Sequence, residues 1–60
     1  MKLEHGKAYK DRTGREWIVT YNPERFLYKF ECGRRMSWTE EGKFIHHEDH
    51  DSAFDLVEAV

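Results

Sequence analysis

The chain of 60 residues lacks several features that anchor or cross-link small proteins. It has one cysteine, Cys32, which excludes an internal disulfide, and a lone thiol favours a reducing compartment. No apolar run approaches the roughly 20 residues that span a bilayer, and residues 1–6 have no apolar core typical of a signal peptide. We therefore expect a cytoplasmic protein with no membrane partner.

The length predicts one small domain over residues 1–60 and excludes a multidomain enzyme. The sequence also lacks a glycine-rich phosphate loop, a nucleophile elbow and a paired metal-binding helix motif. A domain of this size has little volume for the deep pocket that most small-molecule sites require. We therefore predict a protein that is not an enzyme and uses no cofactor.

Aromatic residues and charge are abundant, at 15% and 37% of the chain. The charge is uneven, because residues 1–35 carry nine basic and five acidic side chains, whereas residues 36–60 carry one basic and seven acidic. Such asymmetry creates an electropositive face, favours contact between subunits, or simply cancels within one fold. Because a chain this short buries little surface by itself, we also expect self-association into a homo-oligomer.

Apolar and polar residues alternate between turns marked by glycine or proline, which is typical of half-buried strands. The pattern predicts strands over residues 7–10, 15–21, 26–32, 36–39 and 43–47. It also predicts which side chains face the core, namely Trp17, Val19, Tyr21, Phe26, Tyr28, Phe30, Cys32 and Phe44.

The end of the chain has a different pattern. Ser52 and Asp55 have the spacing of a capping box, and Phe54, Val57 and Val60 recur at helical spacing. We therefore predict a mainly β (α+β) fold, with a four- to five-stranded antiparallel meander and a short C-terminal helix over about residues 52–60. Periodicity does not separate an open sheet from one rolled like a small SH3-type barrel.

Basic and aromatic residues come together near one predicted turn. Arg34 and Arg35 lie between Tyr28 and Trp38 along the chain. Arginine binds phosphate bidentately and an aromatic face stacks on a nucleobase, so these four residues form a candidate site for a nucleotide-like anionic ligand. The alternative is that Trp38 belongs to the core and both arginines are solvated.

Acidic residues suggest a different partner. Glu40, Glu41, Asp49 and Asp51 form a candidate surface for docking on a basic protein. Extended nucleic acid is not an expected partner, because the sequence pI is about 6.0 and sustained phosphate contact requires a basic stripe.

Residues 46–51 are six consecutive side chains that can ligate a metal, and His46 and His50 are the candidate ligands. Structural metal sites usually draw ligands from two separated segments. The alternative is therefore a solvated acidic loop.

Three motifs resemble small, uncharacterised accessory proteins of tailed bacteriophages: residues 3–14 (Leu-Glu-x-Gly-Lys-x-Tyr-x-x-Arg-x-Gly), residues 38–44 (Trp-Thr-Glu-Glu-Gly-Lys-Phe) and residues 55–60 (Asp-Leu-Val-Glu-x-Val). The resemblance implies a Gly-x-x-Tyr hairpin, a Glu-x-Gly turn and a C-terminal helix. It also implies a counter-defence or host-modulating role in the bacterial cytoplasm. The partner would then be a sequestered nucleotide signal or an inhibited host protein.

Overall fold

The computed structural model describes residues 1–33, 36–46 and 49–60, and each regular element within these ranges is a β-strand. The prediction of a mainly β fold is confirmed. No helix that could cross a bilayer is found in this part of the chain. The strands are β1 (Ala8–Asp11), β2 (Glu16–Ile18), β3 (Thr20–Tyr21), β4 (Phe30–Cys32), β5 (Met36–Trp38) and β6 (Leu56–Ala59).

The strands form two antiparallel sheets, ordered β2-β1-β6 and β3-β4-β5. The segment predicted as one strand over residues 15–21 divides at Val19, so that its first part belongs to one sheet and its second part to the other. Val19 is buried and bonds through its backbone to Gly6 and Lys7. The predicted single meander is therefore wrong, because the chain changes sheets at Val19 and returns to β1 at its end.

The β1–β2 hairpin follows the prediction from the sequence. Ala8 pairs with Ile18 and Lys10 with Glu16, and Asp11 N donates to Arg15 O at 2.9 Å. Gly14 has a φ of 89°, the left-handed conformation that this turn requires and that glycine adopts without a steric penalty. The hairpin thus lies where the glycine signal predicts it.

The predicted C-terminal helix is wrong. The capping-box contacts do form, since Ser52 N donates to Asp55 Oδ2 at 2.9 Å and Phe54 N donates to Ser52 Oγ at 3.1 Å. They close one turn only, after which residues from Leu56 onward pair with β1. This pairing gives the first sheet its third strand, and β-branched Val57 suits a strand better than a short helix. Phe54, Val57 and Val60 are exposed instead of sharing a buried helical face.

The core contains side chains from both sheets. Two predicted core residues, Phe26 and Tyr21, are exposed instead. Phe26 lies in the loop of residues 22–29, because β4 begins only at Phe30, and Tyr21 ends β3. Trp17, Cys32, Met36 and Phe44 are partly buried against the core. The buried apolar residues are Leu3, Tyr9, Val19, Phe30, Trp38 and Leu56.

The segment after β5 does not form the strand predicted over residues 43–47. Phe44 makes one bridge to Trp38, and Ile45 N donates to Ser37 O at 3.0 Å. The preceding turn does form as predicted, with Gly42 N donating to Thr39 O at 2.9 Å. His47 lies outside the described residues.

Candidate functional site

Of the four residues predicted to bind a nucleotide, the structure describes Trp38 and Tyr28. Trp38 has 0% exposure, and its Nε1 donates to Phe54 O at 2.7 Å, so no ring face is available for stacking. The alternative of a core tryptophan is therefore correct. Tyr28 is half-buried, and its hydroxyl accepts a bond from His46 N at 3.2 Å. Arg34 and Arg35 lie outside the described residues.

The four acids predicted to dock on a protein have different surroundings. Asp51 pairs with Arg12 at 3.2 Å and with Lys43 at 3.5 Å, and Asp49 lies 2.7 Å from His50 Nδ1. Glu40 and Glu41 are exposed and make no ion pair with any residue in the described ranges. These two glutamates therefore retain an uncompensated negative charge among the described side chains.

The metal prediction has no further support among the described residues. His46 is exposed with a φ of 62°, and its ring contacts Tyr28 edge-on at 5.6 Å. No group of three histidine, cysteine or carboxylate side chains suited to a metal ion is found in residues 1–33, 36–46 and 49–60. Metal binding by His46 and His50 stays a prediction.

A buried carboxylate, Asp55, joins two segments of the chain. It accepts bonds from Lys43 Nζ at 2.8 Å, Phe44 N at 2.9 Å and Ser52 N at 2.9 Å. Burial by itself raises the pKa of Asp55, but the hydrogen bonds from Lys43, Ser52 and Phe44 outweigh it and hold the pKa at about 2. Sequence reasoning treated Asp55 only as a helix cap and missed this cluster.

A second buried carboxylate, Asp11, organises the β1–β2 turn. It accepts bonds from Thr13 Oγ1 at 2.6 Å, Thr13 N at 2.8 Å and Trp17 Nε1 at 2.9 Å. Burial by itself raises the pKa of Asp11. These bonds and the one from Arg15 N lower it by more, so the pKa of Asp11 lies below its ordinary value. Asp11 and Asp55 are both saturated with donors, so their role is to hold loops in place.

Apolar side chains line an open cavity of about 440 Å³ on the second sheet. Tyr21 from β3 and Phe30 from β4 contact each other with ring centroids 5.3 Å apart and ring planes tilted by 48°, and the loop before β4 adds Phe26 and Leu27. We name this cavity the Phe26 groove. Its complete lining is Tyr21, Phe26, Leu27, Lys29, Phe30, Thr39, Glu40 and Glu41.

The exposure of the groove residues is unusual for a small protein. Phe26 is 83% exposed, Leu27 is 52% exposed and Tyr21 is 44% exposed. Single exposed apolar residues are common, but adjacent exposed aromatic and aliphatic side chains beside a cavity are typical of an interaction site. The sequence does not indicate this exposed surface, because the strand-like alternation predicts that Phe26 faces the core. Pro23, three residues earlier, is the signal that a loop replaces the strand there.

The backbone holds Phe26 and Leu27 outward in a strained conformation. Tyr28 N donates to Phe26 O at 2.8 Å, which closes a three-residue γ-turn around Leu27. Leu27 has a φ of 67°, in the region that side chains with a Cβ rarely adopt. Such strain costs about 1–2 kcal/mol, and it occurs most often at functional sites.

A second open cavity of about 490 Å³ lies near the β3–β4 hairpin and is polar. The polar side chains of its lining already bond to each other. Arg25 Nη1 lies 3.1 Å from Glu31 Oε2, and Asn22 Nδ2 donates to Glu31 Oε1 at 3.4 Å. A charged ligand would have to replace these contacts. The Phe26 groove is therefore the better candidate site.

Comparison with protein families, with curated proteins and with solved structures finds no match to this chain.

Proposed function

We propose that this chain is a non-enzymatic protein-binding domain, and that the Phe26 groove receives a large apolar side chain from a segment of the partner. The observation that carries this proposal is the exposure of Phe26 on a strained γ-turn beside an aromatic cavity. Burial of an exposed Phe or Leu side chain is worth about 1.5–3 kcal/mol each. A partner that covers Phe26 and Leu27 gains this energy, whereas the free domain gains nothing from exposing them.

The same surface fits the accessory role that the resemblance to bacteriophage proteins implies. A domain of this kind acts by occupying a surface of a host protein, with no reaction of its own. Among the four acids predicted to dock, Glu40 and Glu41 line the groove, so the apolar and acidic parts of the proposed surface are adjacent.

We also propose that the two sheets form a rolled barrel of the SH3 type. Two observations support this arrangement. The chain passes from the first sheet to the second through buried Val19, and Leu56 N donates to Gly42 O at 2.9 Å, which joins the start of β6 to the turn after β5. In such an arrangement, the loops at one end of the barrel surround a shared surface. The loop of residues 22–29 and the turn of residues 39–42 both contribute to the Phe26 groove in this way.

An array of short synthetic peptides tests the proposal. Each peptide carries one central Phe, Leu or Trp in a glycine–serine background, and the control peptides carry Ala at the centre. We expect binding of peptides with a large apolar residue, and loss of that binding in Phe26→Ser. The matched control is Ile18→Thr, which removes another exposed apolar side chain, 63% exposed, from the first sheet and should bind normally. Equal binding by both variants, or no preference over Ala peptides, would contradict the proposal.

Native mass spectrometry of protein purified from bacterial cells separates this proposal from the other expectations. A retained nucleotide or metal ion would appear as added mass and would favour those ligands. A homo-oligomer that dissociates in Phe26→Ser would show that a second copy of the chain covers the groove. A monomer without added mass, together with peptide binding, is the expected result.

A further inference from the structure

We infer that the segment bound in the Phe26 groove carries lysine or arginine beside its apolar side chain, and that Glu40 and Glu41 select it. This inference rests on the proposed function. It adds to that function the charge of the partner, which the apolar contacts alone do not specify.

The lining of the Phe26 groove contains two carboxylates and one ammonium group. Glu40 and Glu41 lie on the groove and pair with no cation among the described side chains. Lys29 is the single cation in the lining, and its ammonium bonds to Pro23 O at 3.3 Å, within its own loop. The lining is therefore acidic overall, with two carboxylates available to a ligand.

Asp51 and Asp55 differ from the groove glutamates because they already have cationic partners. Asp51 and Asp55 face Arg12 and Lys43, so their charges are already compensated inside the protein. A basic partner gains little there, because it would have to displace an existing cation. The glutamates at the groove have no such competitor within the described residues, and an approaching lysine or arginine meets their full charge.

The turn that contains Glu40 and Glu41 is held in place by hydrogen bonds. Thr39 N donates to Lys43 O at 2.9 Å, and Lys43 N donates to Thr39 Oγ1 at 3.1 Å. Glu40 O also accepts a bond from Leu3 N at 2.7 Å, which ties the turn to the first residues of the chain. Because the backbone beneath both glutamates is fixed, binding orders only their side chains, and little of the electrostatic gain is lost to loop ordering.

A matched set of peptides tests this selection. Each peptide keeps the same central apolar residue, and its two flanking positions are both Lys, both Gln or both Glu. We expect affinity to fall in that order, by up to about fivefold for each ion pair that is lost. The preference should weaken between about 0.1 M and about 1 M salt, because the screening length shortens from about 10 Å to about 3 Å.

Two double variants connect the preference to the groove. Glu40→Gln with Glu41→Gln should bind the Gln peptide normally and lose the preference for the Lys peptide. The control changes net charge equally on the first sheet, as Glu16→Gln with Glu58→Gln, and should keep the preference. Thermal melts confirm that both proteins are folded.

The outcomes distinguish this inference from the proposed function. If peptides bind through Phe26 but Lys and Gln peptides bind equally, the charge selection is wrong and the protein-binding function stands. If the preference survives in the Glu40 and Glu41 double variant, these glutamates are not its source and the inference is overturned. If no peptide binds, both are overturned.

Discussion

The ammonium of Lys43 lies 2.8 Å from Oδ2 of Asp55, a carboxylate with 2% side-chain exposure. This contact attaches the segment after the β5 turn to the turn that precedes β6. The hydrogen bond that Lys43 donates to Asp55 raises the pKa of Lys43, in the direction expected for an ion pair. Together with the bonds from Ser52 N and Phe44 N, it makes Asp55 the point where the segment of residues 43–44 meets the turn before β6.

Protonation of Asp55 should destabilise the fold at low pH. Its folded pKa of about 2 lies below the ordinary value of 3.8, so the unfolded state binds more protons between these values. The stabilisation is therefore complete above about pH 4 and is lost as the pH falls through about 2. Urea unfolding followed by tryptophan fluorescence across this range should show stability decreasing with acid.

Substitution at the same position provides the control for this pH dependence. Asp55→Asn should cost about 1.5–3 kcal/mol at neutral pH, because a buried charged acceptor is lost, and should make the acid dependence shallower. Some dependence should persist, since the pKa of Asp11 is also lowered. Asp51→Asn, at an exposed carboxylate facing the same cations, should change little; a loss equal to that of Asp55→Asn would show that exposed pairing matters as much as burial.

Gly42 should tolerate alanine less well than Gly14 does. Both have positive φ, so alanine at either position costs about 1–2 kcal/mol in backbone strain. A Cβ on Gly42 would also lie 2.7 Å from Leu56 O, whereas a Cβ on Gly14 meets no atom within 4 Å. We expect Gly42→Ala to lose about 1–3 kcal/mol more than Gly14→Ala in chemical unfolding. Equal losses would mean that the turn and β6 are not in close contact.

The parts of the fold that the sequence predicts correctly depend on local signals. Gly14 and Gly42 mark turns because their backbone conformations are left-handed, and Val19 and Phe30 are buried where alternation is regular. The alternating pattern does not state which face of a sheet is covered, so the sequence left open whether Trp38 is exposed or buried. The structure places Trp38 in the core. These signals do not extend beyond neighbouring elements.

The incorrect predictions depend on long-range contacts. A capping box at Ser52 and Asp55 favours helix initiation, but the edge of β1 provides hydrogen-bond partners that a short terminal helix would not have. Likewise, Phe26 follows the alternation of a strand, but the loop begun at Pro23 delays pairing until Phe30. The candidate groove arises from this delay, and Pro23 is the local signal that points to it.

Trp38 should be insensitive to added nucleotides. Trp17→Phe leaves Trp38 as the one tryptophan of the chain, and we expect blue-shifted emission and weak quenching by acrylamide because the ring is buried. The substitution also removes the bond from Trp17 Nε1 to Asp11, so some stability is lost and the folded state must be verified by a thermal melt. Saturable quenching of the folded variant by a nucleoside phosphate would restore the nucleotide site that was first predicted.

Leu27→Gly should stabilise the domain while weakening its binding. Glycine adopts the φ of 67° without the strain of about 1–2 kcal/mol, and part of this gain is offset by the larger entropy of glycine in the unfolded chain. We expect a net gain of about 0.5–1 kcal/mol in unfolding free energy. Peptide affinity should fall, because an exposed apolar side chain of the Phe26 groove is removed.

His46→Gly is the matched control for this trade between stability and binding. His46 also has a positive φ, of 62°, but it does not line the groove. Relief of its strain should likewise favour folding, reduced by loss of the ring contact with Tyr28, while peptide affinity stays unchanged. If both variants bind peptides equally well, Leu27 contributes only to folding. If Leu27→Gly instead lowers stability, the γ-turn is not strained and its conformation is no indication of function.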